Sequence, residues 1–250
     1  GMMMGSDIVS SAQPPQEKSP QARRAKTVLQ ADNLTGRTLN GVSLDLAEGE
    51  ILGLGGLHGQ GQSALLRSLF GADPAADGII KIDGKVVKVS GPRAAMALGL
   101  AYVSGDRGRD GTLSHRPVFE NLALARLNKS HATYIDVAAV SDQVLPVAER
   151  LKLRYAGLGS PISQLSGGNQ QKVVLGRWLA AEPRILLLDD PTKGIDLQTK
   201  KDLYALLAEL CLGGMSILFY SSDDTELLSV SDRVLVFADG QVVDELAGER

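Results

Sequence analysis

Cysteine and aromatic residues are scarce in this chain, and neither sign of charge dominates. Cys211 is the only cysteine among 250 residues, so no intramolecular disulfide can form, which is typical of proteins from a reducing compartment. Aromatic residues make up 4% of the chain, and 26 Lys and Arg face 29 Asp and Glu, for a formal net charge of −3. Non-specific nucleic-acid binding depends on a basic surface. The charge therefore argues against a nucleic-acid partner.

Long apolar runs are also absent. None approaches the ~20 residues of a membrane-spanning helix, and the first residues lack the charged and apolar segments of a secretory signal. These absences predict a cytoplasmic protein that reaches a membrane only through a partner. The hydrophobic fraction of 44% and the charged fraction of 22% are those of a folded domain. Residues 1–26, rich in Ser, Gln, Pro and charge, predict a disordered tail or a linker.

The order of local patterns predicts an α/β fold. Alternating segments within 28–46 indicate antiparallel strands, and Asp83-Gly84 indicates a hairpin turn. Helical spacing then runs through a long middle segment, with Asp136 and Ser141 as expected N-caps. The continuous apolar run Ile185–Leu188 predicts a buried parallel strand.

A glycine-rich segment follows the first short apolar strand. Gly56–Ser63 reads GLHGQGQS and opens a helix. The backbone N–H groups of such a turn, together with the helix N-terminus, form a nest for an anion. Gly56, Gly61 and Ser63 match the phosphate-loop pattern G-x-x-x-x-G-K-[ST], but Gln62 stands at the lysine position. Taken alone, the segment is equally consistent with an ordinary tight turn.

Two further motifs lie downstream. ILLLDDPT, residues 185–192, delivers carboxylates at the end of an apolar strand, the usual place for a Mg²⁺ ligand in a nucleotide-binding sheet. Asp189 is the expected metal ligand and Asp190 the neighbour of an attacking water, with a solvated acidic turn as the alternative. LSGGNQQK, residues 165–172, opens a helix with Ser-Gly-Gly and predicts a second anion site.

Together the three motifs resemble the nucleotide-binding domain of ATP-binding-cassette (ABC) transporters, over about Val28 to Leu246. The chain is most similar to the second, C-terminal cassette of the tandem ATPase subunits of bacterial ribose-type monosaccharide importers. Three features carry that narrower likeness. They are Asn169 in LSGGNQQK, the YVSGDR segment Tyr102–Arg107, and Ser221-Ser222 where most cassettes have a switch histidine.

The resemblance implies an architecture and a set of partners. Residues 27–250 would form a P-loop α/β core with an antiparallel β subdomain and a helical subdomain at about 112–170. The implied ligands are ATP and Mg²⁺. The implied partners are the first cassette of a tandem subunit, transmembrane permease subunits and, indirectly, a periplasmic sugar-binding protein. The implied location is cytoplasmic, on the inner face of the cell membrane.

The resemblance also implies roles for individual residues. Two cassettes would pair head to tail, with each ATP between the phosphate loop of one and the signature of the other. The implied nucleotide-binding residues are Gly56, Gly59, Gly61, Gln62, Ser63 and Ala64, and the implied Mg²⁺ ligands are Ser63 and Asp189. The remaining implied residues are the signature residues Ser166, Gly167, Gly168 and Asn169, the D-loop aspartate Asp196, and the degenerate catalytic positions Asp190 and Ser222.

Departures from the family pattern fall on the chain's own catalytic side. Gln62 replaces a lysine or arginine, Asp190 the catalytic glutamate and Ser222 the switch histidine. Gly105 stands at the Q-loop glutamine, and no aromatic near Arg37-Thr38 would stack on adenine. A cation ~4 Å from a phosphate charge contributes roughly 4 kcal/mol at an effective dielectric of ~20, whereas a glutamine hydrogen bond contributes ~1 kcal/mol. We therefore expect weak nucleotide binding. A carboxylate misplaced by about 1 Å costs on the order of 10²-fold in rate, so we also expect slow hydrolysis.

The leading hypothesis is an ATP-binding domain of a sugar importer, with a degenerate site of its own and an intact signature that completes the partner cassette's site. The alternative is a stand-alone homodimeric ABC-type ATPase, which would carry Gln62 and Asp190 in both of its sites. A nucleic-acid-acting ABC protein is disfavoured, because the segment between phosphate loop and signature has no sustained heptads and the charge is not basic.

Several other residues have an ordinary interpretation. The three histidines, His58, His115 and His131, share no metal-ligand spacing and are expected on loops or at the surface. Trp178 is expected to pack against the core. The charged loop 106–110 is either solvated or the segment that meets a transmembrane partner.

Overall fold

The computed structural model describes residues 26–129 and 135–250. The predicted tail, except for Lys26, and His131 lie outside these ranges. The strands are β1 Thr27–Thr35, β2 Asn40–Ala47, β3 Ile51–Gly56, β4 Asp77–Ile82, β5 Lys85–Val87, β6 Leu100–Ser104, β7 Ile185–Asp189, β8 Ser216–Tyr220, β9 Arg233–Ala238 and β10 Gln241–Ala247. The helices are α1 Gln62–Leu69, α2 Pro92–Ala97, α3 Val118–Lys129, α4 Val137–Arg150, α5 Gly167–Leu179, α6 Leu197–Leu212 and α7 Asp224–Val230. None of the helices in these ranges is long and apolar enough to cross a bilayer.

The strands form two sheets. The first is antiparallel, in the order β2-β1-β4-β5, and the second has the order β10-β9-β3-β8-β7-β6 with parallel pairing from β9 to β6. The antiparallel strands within 28–46 and the mixed α/β class are confirmed. Asp83 and Gly84 close the β4–β5 hairpin with φ of 49° and 75°, the positive values that a type I′ turn requires.

The parallel sheet is buried on both faces, and β7 shows why its sequence is continuously apolar. Ile185 and Leu187 pack in one core cluster, which includes residues of α1. Leu186 and Leu188 point to the opposite side and pack in a second cluster, with residues of α6. Successive side chains of a strand alternate between faces, so helices on both sides demand an apolar residue at every position.

Helices α3, α4 and α5 pack around a third cluster that includes Leu122, Val144 and Val173. Asp136 caps α4, as predicted, because its carboxylate accepts from the N–H groups of Ala138 and Ala139 at 3.0 and 3.2 Å. The prediction for Ser141 is wrong. The helix has already begun at Val137, so this serine lies inside it. Both α3 and α4 lie within the range predicted for a helical subdomain, a division that stays a prediction.

The indole of Trp178 packs against two of these clusters. It packs edge-on against Phe70 with ring centroids 5.4 Å apart, and it borders the clusters on both sides of the parallel sheet. This agrees with the packing role expected for it.

A buried polar network joins α3 to α5. The Oδ1 of Asn121 accepts from the Leu113 N–H at 2.8 Å and from Arg177 Nη2 at 2.9 Å, while Arg177 Nε donates to the Asn121 carbonyl at 2.8 Å. The Asn121 amide also donates to the Leu113 and Pro117 carbonyls, each at 3.1 Å. Burial lowers the pKa of Arg177 to about 10, because the charged form is desolvated. Asn121 thus fixes the signature-bearing helix to the loop that precedes α3.

We predict that Asn121→Ala destabilises the fold by about 3 kcal/mol, since it removes the side-chain partner of Arg177 Nη2 and of several backbone groups. Urea unfolding followed by circular dichroism measures the change. Asn128→Ala, at an exposed position of the same helix, is the control and should change the free energy of unfolding by less than ~0.5 kcal/mol. Equal unfolding midpoints for the two variants would show that the network contributes nothing.

Candidate functional site

The glycine-rich loop between β3 and α1 needs its glycines for conformation. Gly56 has a φ of 112°, and a Cβ there would lie 2.2 Å from the Phe237 carbonyl oxygen. Gly59 and Gly61 also have positive φ, at 83° and 117°. In the described part of the chain no side chain caps α1, so the N–H groups of its first turn, which includes Ser63, are available to an anion.

Gln62 folds back onto this loop. Its side chain is 1% exposed, and Nε2 donates to the carbonyls of Gly55 and Leu57, both at 3.1 Å. These two hydrogen bonds therefore stabilise the conformation of the loop. A lysine at this position would add a positive charge, whereas the glutamine adds none. Ala64 follows in the first turn of α1 and lines a separate cavity.

Ser63 and Asp189 meet as predicted, although they lie far apart in the sequence. The Ser63 hydroxyl donates to Asp189 Oδ1 at 2.6 Å, and the Tyr102 hydroxyl donates to Oδ2 at 2.6 Å. Burial and the Asp189 charge raise the pKa of Tyr102 well above its usual value. The phenol consequently stays protonated and keeps donating to the carboxylate.

The oxygens of Ser63 and Asp189 suit a hard divalent cation. Mg²⁺ prefers oxygen ligands and commonly takes only one or two from protein, with water and phosphate completing its shell. Among the described residues no group of three or more His, Cys, Asp or Glu side chains could hold a metal. The pair therefore fits Mg²⁺ that arrives with a phosphate, and does not form a closed protein cage.

Asp190 and Ser222, the two positions that the family resemblance assigns to catalysis, form hydrogen bonds with each other. The Ser222 hydroxyl donates to Asp190 Oδ2 at 3.0 Å, and its N–H donates to Oδ1 at 3.3 Å. Asp190 has a φ of 51°, and its N–H donates to the Tyr220 carbonyl at 2.9 Å. The short carboxylate is thereby held against the end of β8.

Gly105 packs directly on the same backbone. A Cβ at this position would lie 2.5 Å from the Asp190 carbonyl oxygen and 2.9 Å from that of Asp189. No larger residue fits here without a shift of the main chain. The glycine is therefore required by this packing, which a glutamine or glutamate would disrupt.

The signature residues form a second cluster with the D-loop. Ser166 caps α5 and accepts from Asn169 Nδ2 at 3.0 Å and from the Asn169 N–H at 3.4 Å. Asp196 caps α6 and accepts from the Thr199 N–H at 3.0 Å and from its hydroxyl at 2.7 Å. A Cβ on Gly168 would lie 2.8 Å from that Thr199 hydroxyl. In the part of the chain that the structure describes, no hydrogen bond joins this cluster to the phosphate loop.

Two cavities lie along the phosphate loop and α1. One, of about 320 Å³, is bounded by His58, Ser63, Asp189, Asp190, Lys193 and Tyr220 among others. The other, of about 700 Å³, is bounded by Arg37, Thr38, Leu39 and Ala64 among others. Arg67 and Asp73 line both cavities. A ligand with an anionic and a less polar end could occupy both.

A family model described as ABC transporter matches residues 39–193. The chain belongs to the ABC transporter family. Ribose import ATP-binding protein RbsA 1 of Rhizobium etli is 44% identical over 227 residues, covering 89% of this chain and 44% of the relative. Its namesake from Mesorhizobium japonicum is 45% identical over 213 residues, covering 84% and 41%. The chain thus spans less than half the length of these relatives.

Solved structures confirm the cassette fold. A nucleotide-free ATP-binding cassette from an ABC transporter aligns with a TM-score of 0.78 at 23% identity, covering 89% of this chain and 92% of that one. The dimeric structure of MJ0796, a bacterial ABC transporter cassette, aligns with a TM-score of 0.74 at 23% identity, covering 89% and 99%. The α/β core with its antiparallel sheet is therefore the fold of this family.

Glu226 is a buried residue that belongs to none of the sequence motifs. Its side chain accepts from the Thr192 hydroxyl at 2.7 Å and from the Ser221 hydroxyl at 3.0 Å, and it pairs with Lys200. Burial opposes ionisation, but these donors hold the pKa of Glu226 below its usual value. The carboxylate thus ties the segments after β7 and β8, which carry Asp190 and Ser222, to α6.

We predict that Glu226→Gln lowers the free energy of unfolding by about 3 kcal/mol at pH 7, because it leaves Lys200 without its charge partner. The folded-state pKa is depressed, so the contribution is complete above the unfolded-state pKa of ~4.3 and is lost as pH falls through the folded value. Denaturant unfolding at several pH values should therefore show wild type and variant converging in acid.

Asp224→Asn serves as the control for this measurement, since Asp224 lies exposed at the start of the same helix. It should change the stability by at most ~1 kcal/mol. A constant difference between wild type and Glu226→Gln from pH 7 to pH 3 would contradict the assigned linkage.

Proposed function

We propose that this chain is the ATP-binding domain of a bacterial monosaccharide importer, and that it corresponds to the second cassette of a tandem subunit. The convergence of Ser63 and Asp189 at the end of a glycine loop carries the nucleotide-binding part of this proposal. The relatives that bear ribose-import names, and the chain's coverage of less than half their length, support the tandem arrangement.

The electrostatics of the smaller cavity favour weak binding of free nucleotide. Its walls carry the cations Arg67, Arg109 and Lys193 but five aspartates, Asp73, Asp106, Asp110, Asp189 and Asp190. A polyphosphate meets net negative charge there, and Gln62 offers no cation in compensation. Bound Mg²⁺, held by Ser63 and Asp189, would supply the missing positive charge. The N–H groups of the loop would hold the phosphates themselves.

Hydrolysis at this site is slow in our proposal. A general base must reach the water beside the terminal phosphate, and Asp190 is instead drawn toward Ser222 by two hydrogen bonds. Ser222 contributes a hydroxyl where an imidazole would orient phosphate and water. The chain alone is therefore a weak or inactive ATPase.

The signature acts in trans in this proposal, on nucleotide held by the first cassette. Ser166 Oγ is an acceptor for Asn169, so its own proton is available to a phosphate oxygen. The N-terminus of α5 adds the positive end of the helix dipole. Preorganised donors of this kind stabilise charge that redistributes in the transition state.

The remaining partners follow from the same assignment. Permease subunits would hold the cassette on the inner face of the membrane, with the charged loop 106–110 as a contact segment, and a periplasmic sugar-binding protein would act through them. Arg107 donates to the Lys193 carbonyl at 2.9 Å. Through this contact, a displacement of loop 106–110 would be transmitted to the D-loop.

We predict that the isolated chain binds Mg·ATP weakly and that Gln62→Lys raises its affinity about tenfold or more, since the lysine adds a cation beside the phosphates. Isothermal titration calorimetry measures both dissociation constants. Asn128→Lys, on an exposed position of α3, adds the same charge away from the site and should change little. A sub-micromolar dissociation constant for the wild-type chain would contradict the degenerate-site proposal.

We also predict opposite sensitivities of signature and phosphate loop in the full tandem subunit, reconstituted with its permease. Ser166→Arg or Gly167→Asp should abolish transport-coupled hydrolysis, because bulk or negative charge would meet the partner's phosphate. Loss of one transition-state donor alone costs roughly 2.7–4 kcal/mol. A Cβ on Gly167 has no neighbour within 3.4 Å, so the fold tolerates that change.

Gln62→Ala should reduce the same hydrolysis far less, and Ser90→Arg, at an exposed serine, is the control for added bulk. ATPase rates and sugar uptake in proteoliposomes are the measurements. If Gln62→Ala silenced the transporter while the signature variants remained active, the trans-acting assignment would be wrong. Vigorous hydrolysis by the isolated chain, lost in Asp190→Asn, would favour a stand-alone homodimeric ATPase.

A further inference from the structure

His58 lies on the phosphate loop and belongs to none of the roles assigned so far. It is exposed to solvent, between Gly56 and Gly59, and its Nδ1 lies 3.1 Å from the hydroxyl oxygen of Tyr220. Its ring lines the 320 Å³ cavity together with Ser63 and Asp190. The sequence alone gave it no function, because it has no metal-ligand spacing with the other histidines.

The sheet register explains how the imidazole reaches this place. Leu54 of β3 pairs with Tyr220 of β8, so the loop that follows β3 begins beside the last residue of β8. The Asp190 N–H donates to the Tyr220 carbonyl at 2.9 Å, and Ser222 lies two residues further along the chain. His58 and the degenerate catalytic pair therefore converge on one tyrosine.

Ser222 stands where the family resemblance implies a switch histidine, so this position carries no imidazole. The Ser222 hydroxyl is already engaged by Asp190 at 3.0 Å. Of the two described histidines, only His58 lines the cavity, since His115 lies exposed elsewhere. An imidazole thus lines the cavity, but it comes from the loop that follows β3 and not from the segment that follows β8.

Tyr220 contacts one ring nitrogen of His58, with its hydroxyl oxygen 3.1 Å from Nδ1. The hydroxyl donates to Nδ1 when the ring carries its hydrogen on Nε2, and it accepts from Nδ1–H in the other tautomer. A phenol that donates to Nδ1 selects the tautomer with hydrogen on Nε2. The free edge of the ring then presents an N–H donor to the cavity.

The orientation of a nucleotide follows from the two cavities. The larger one, with Arg37 and Ala64, has room for the base and ribose, and the smaller one contains Ser63, Asp189 and Asp190. The helix N-terminus between them holds the inner phosphates. With the base in the larger cavity, the terminal phosphate would lie in the smaller one, which His58 and Asp190 both line.

We propose that His58 donates a hydrogen bond from Nε2 to the terminal phosphate of a nucleoside triphosphate, and so distinguishes triphosphate from diphosphate at this loop. The inference rests on the proposed nucleotide-binding function. Tyr220 is the positioning residue that orients the ring. His58, which lies on the phosphate loop, thereby makes a phosphate contact that Ser222 does not provide.

The test compares affinities for Mg·ADP and for Mg²⁺ with a non-hydrolysable ATP analogue, measured by calorimetry on the whole chain. His58→Ala should weaken binding of the triphosphate by roughly tenfold, as expected for a lost hydrogen bond to a charged group, and leave Mg·ADP unchanged. His58→Gln, which keeps an N–H donor, should recover part of the loss. Tyr220→Phe should reduce triphosphate affinity by a smaller factor, and His115→Ala should have no effect.

A structural role for His58 would weaken both nucleotides alike, because distortion of the loop affects every phosphate. An equal loss for ADP and the triphosphate, or no loss for either, would overturn the assignment to the terminal phosphate and leave the proposed function standing. A wild-type chain that binds neither nucleotide would overturn the proposed function and this inference together.

Discussion

The parallel register of β3, β8, β7 and β6 brings the ends of four strands to one edge of the sheet. Adjacent residues in this register are Asp189 with Tyr220 and with Ser104, and Leu54 with Tyr220. Each strand end is followed by a loop that bears a polar side chain. The positions at which the parallel strands end therefore determine which polar side chains meet at the site. The 2.6 Å hydrogen bond from Ser63 to Asp189 then locks the helix that follows β3 against this edge.

The residues that depart from the family pattern are held in place by hydrogen bonds. The Gln62 side-chain amide donates two hydrogen bonds to carbonyls of the glycine-rich loop. Asp190 and Ser222 likewise satisfy each other. Buried polar groups without partners cost folding free energy, and the hydrogen bonds of the buried Gln62 side chain avoid that cost. Departures from the family pattern are therefore compatible with a site whose polar groups are hydrogen-bonded.

Local signals were readable from the sequence. Alternation predicted the first strands, Asp83-Gly84 predicted its hairpin turn, and the apolar run before Asp189 predicted a central parallel strand. Each depends on interactions within a few residues or on burial of a whole element. Ser141 shows the limit, because Asp136 competes for the same helix start and its carboxylate bonds two N–H groups.

The motifs also predicted that Ser63, Asp189 and Asp190 share a site, but they could not predict what surrounds them. Glu226 looks like one acidic residue among several at the start of a helix. Its burial depends on Lys200, from a different helix, and on Thr192. His58 gains its neighbour only through the β3–β8 register. Such partners are set by pairing across long sequence separations, which no short pattern records.

The buried guanidinium of Arg177 has a consequence for how the cassette responds to acid. In the described part of the chain its hydrogen-bond partners are oxygens of Asn121, a carbonyl and a side-chain amide, neither of which titrates. The pKa of Arg177, about 10, lies above the range in which a cell operates. The joint between the signature helix and α3 therefore keeps the same charge state throughout that range. Acidification within that range therefore changes neither the charge of Arg177 nor its hydrogen bonds to Asn121.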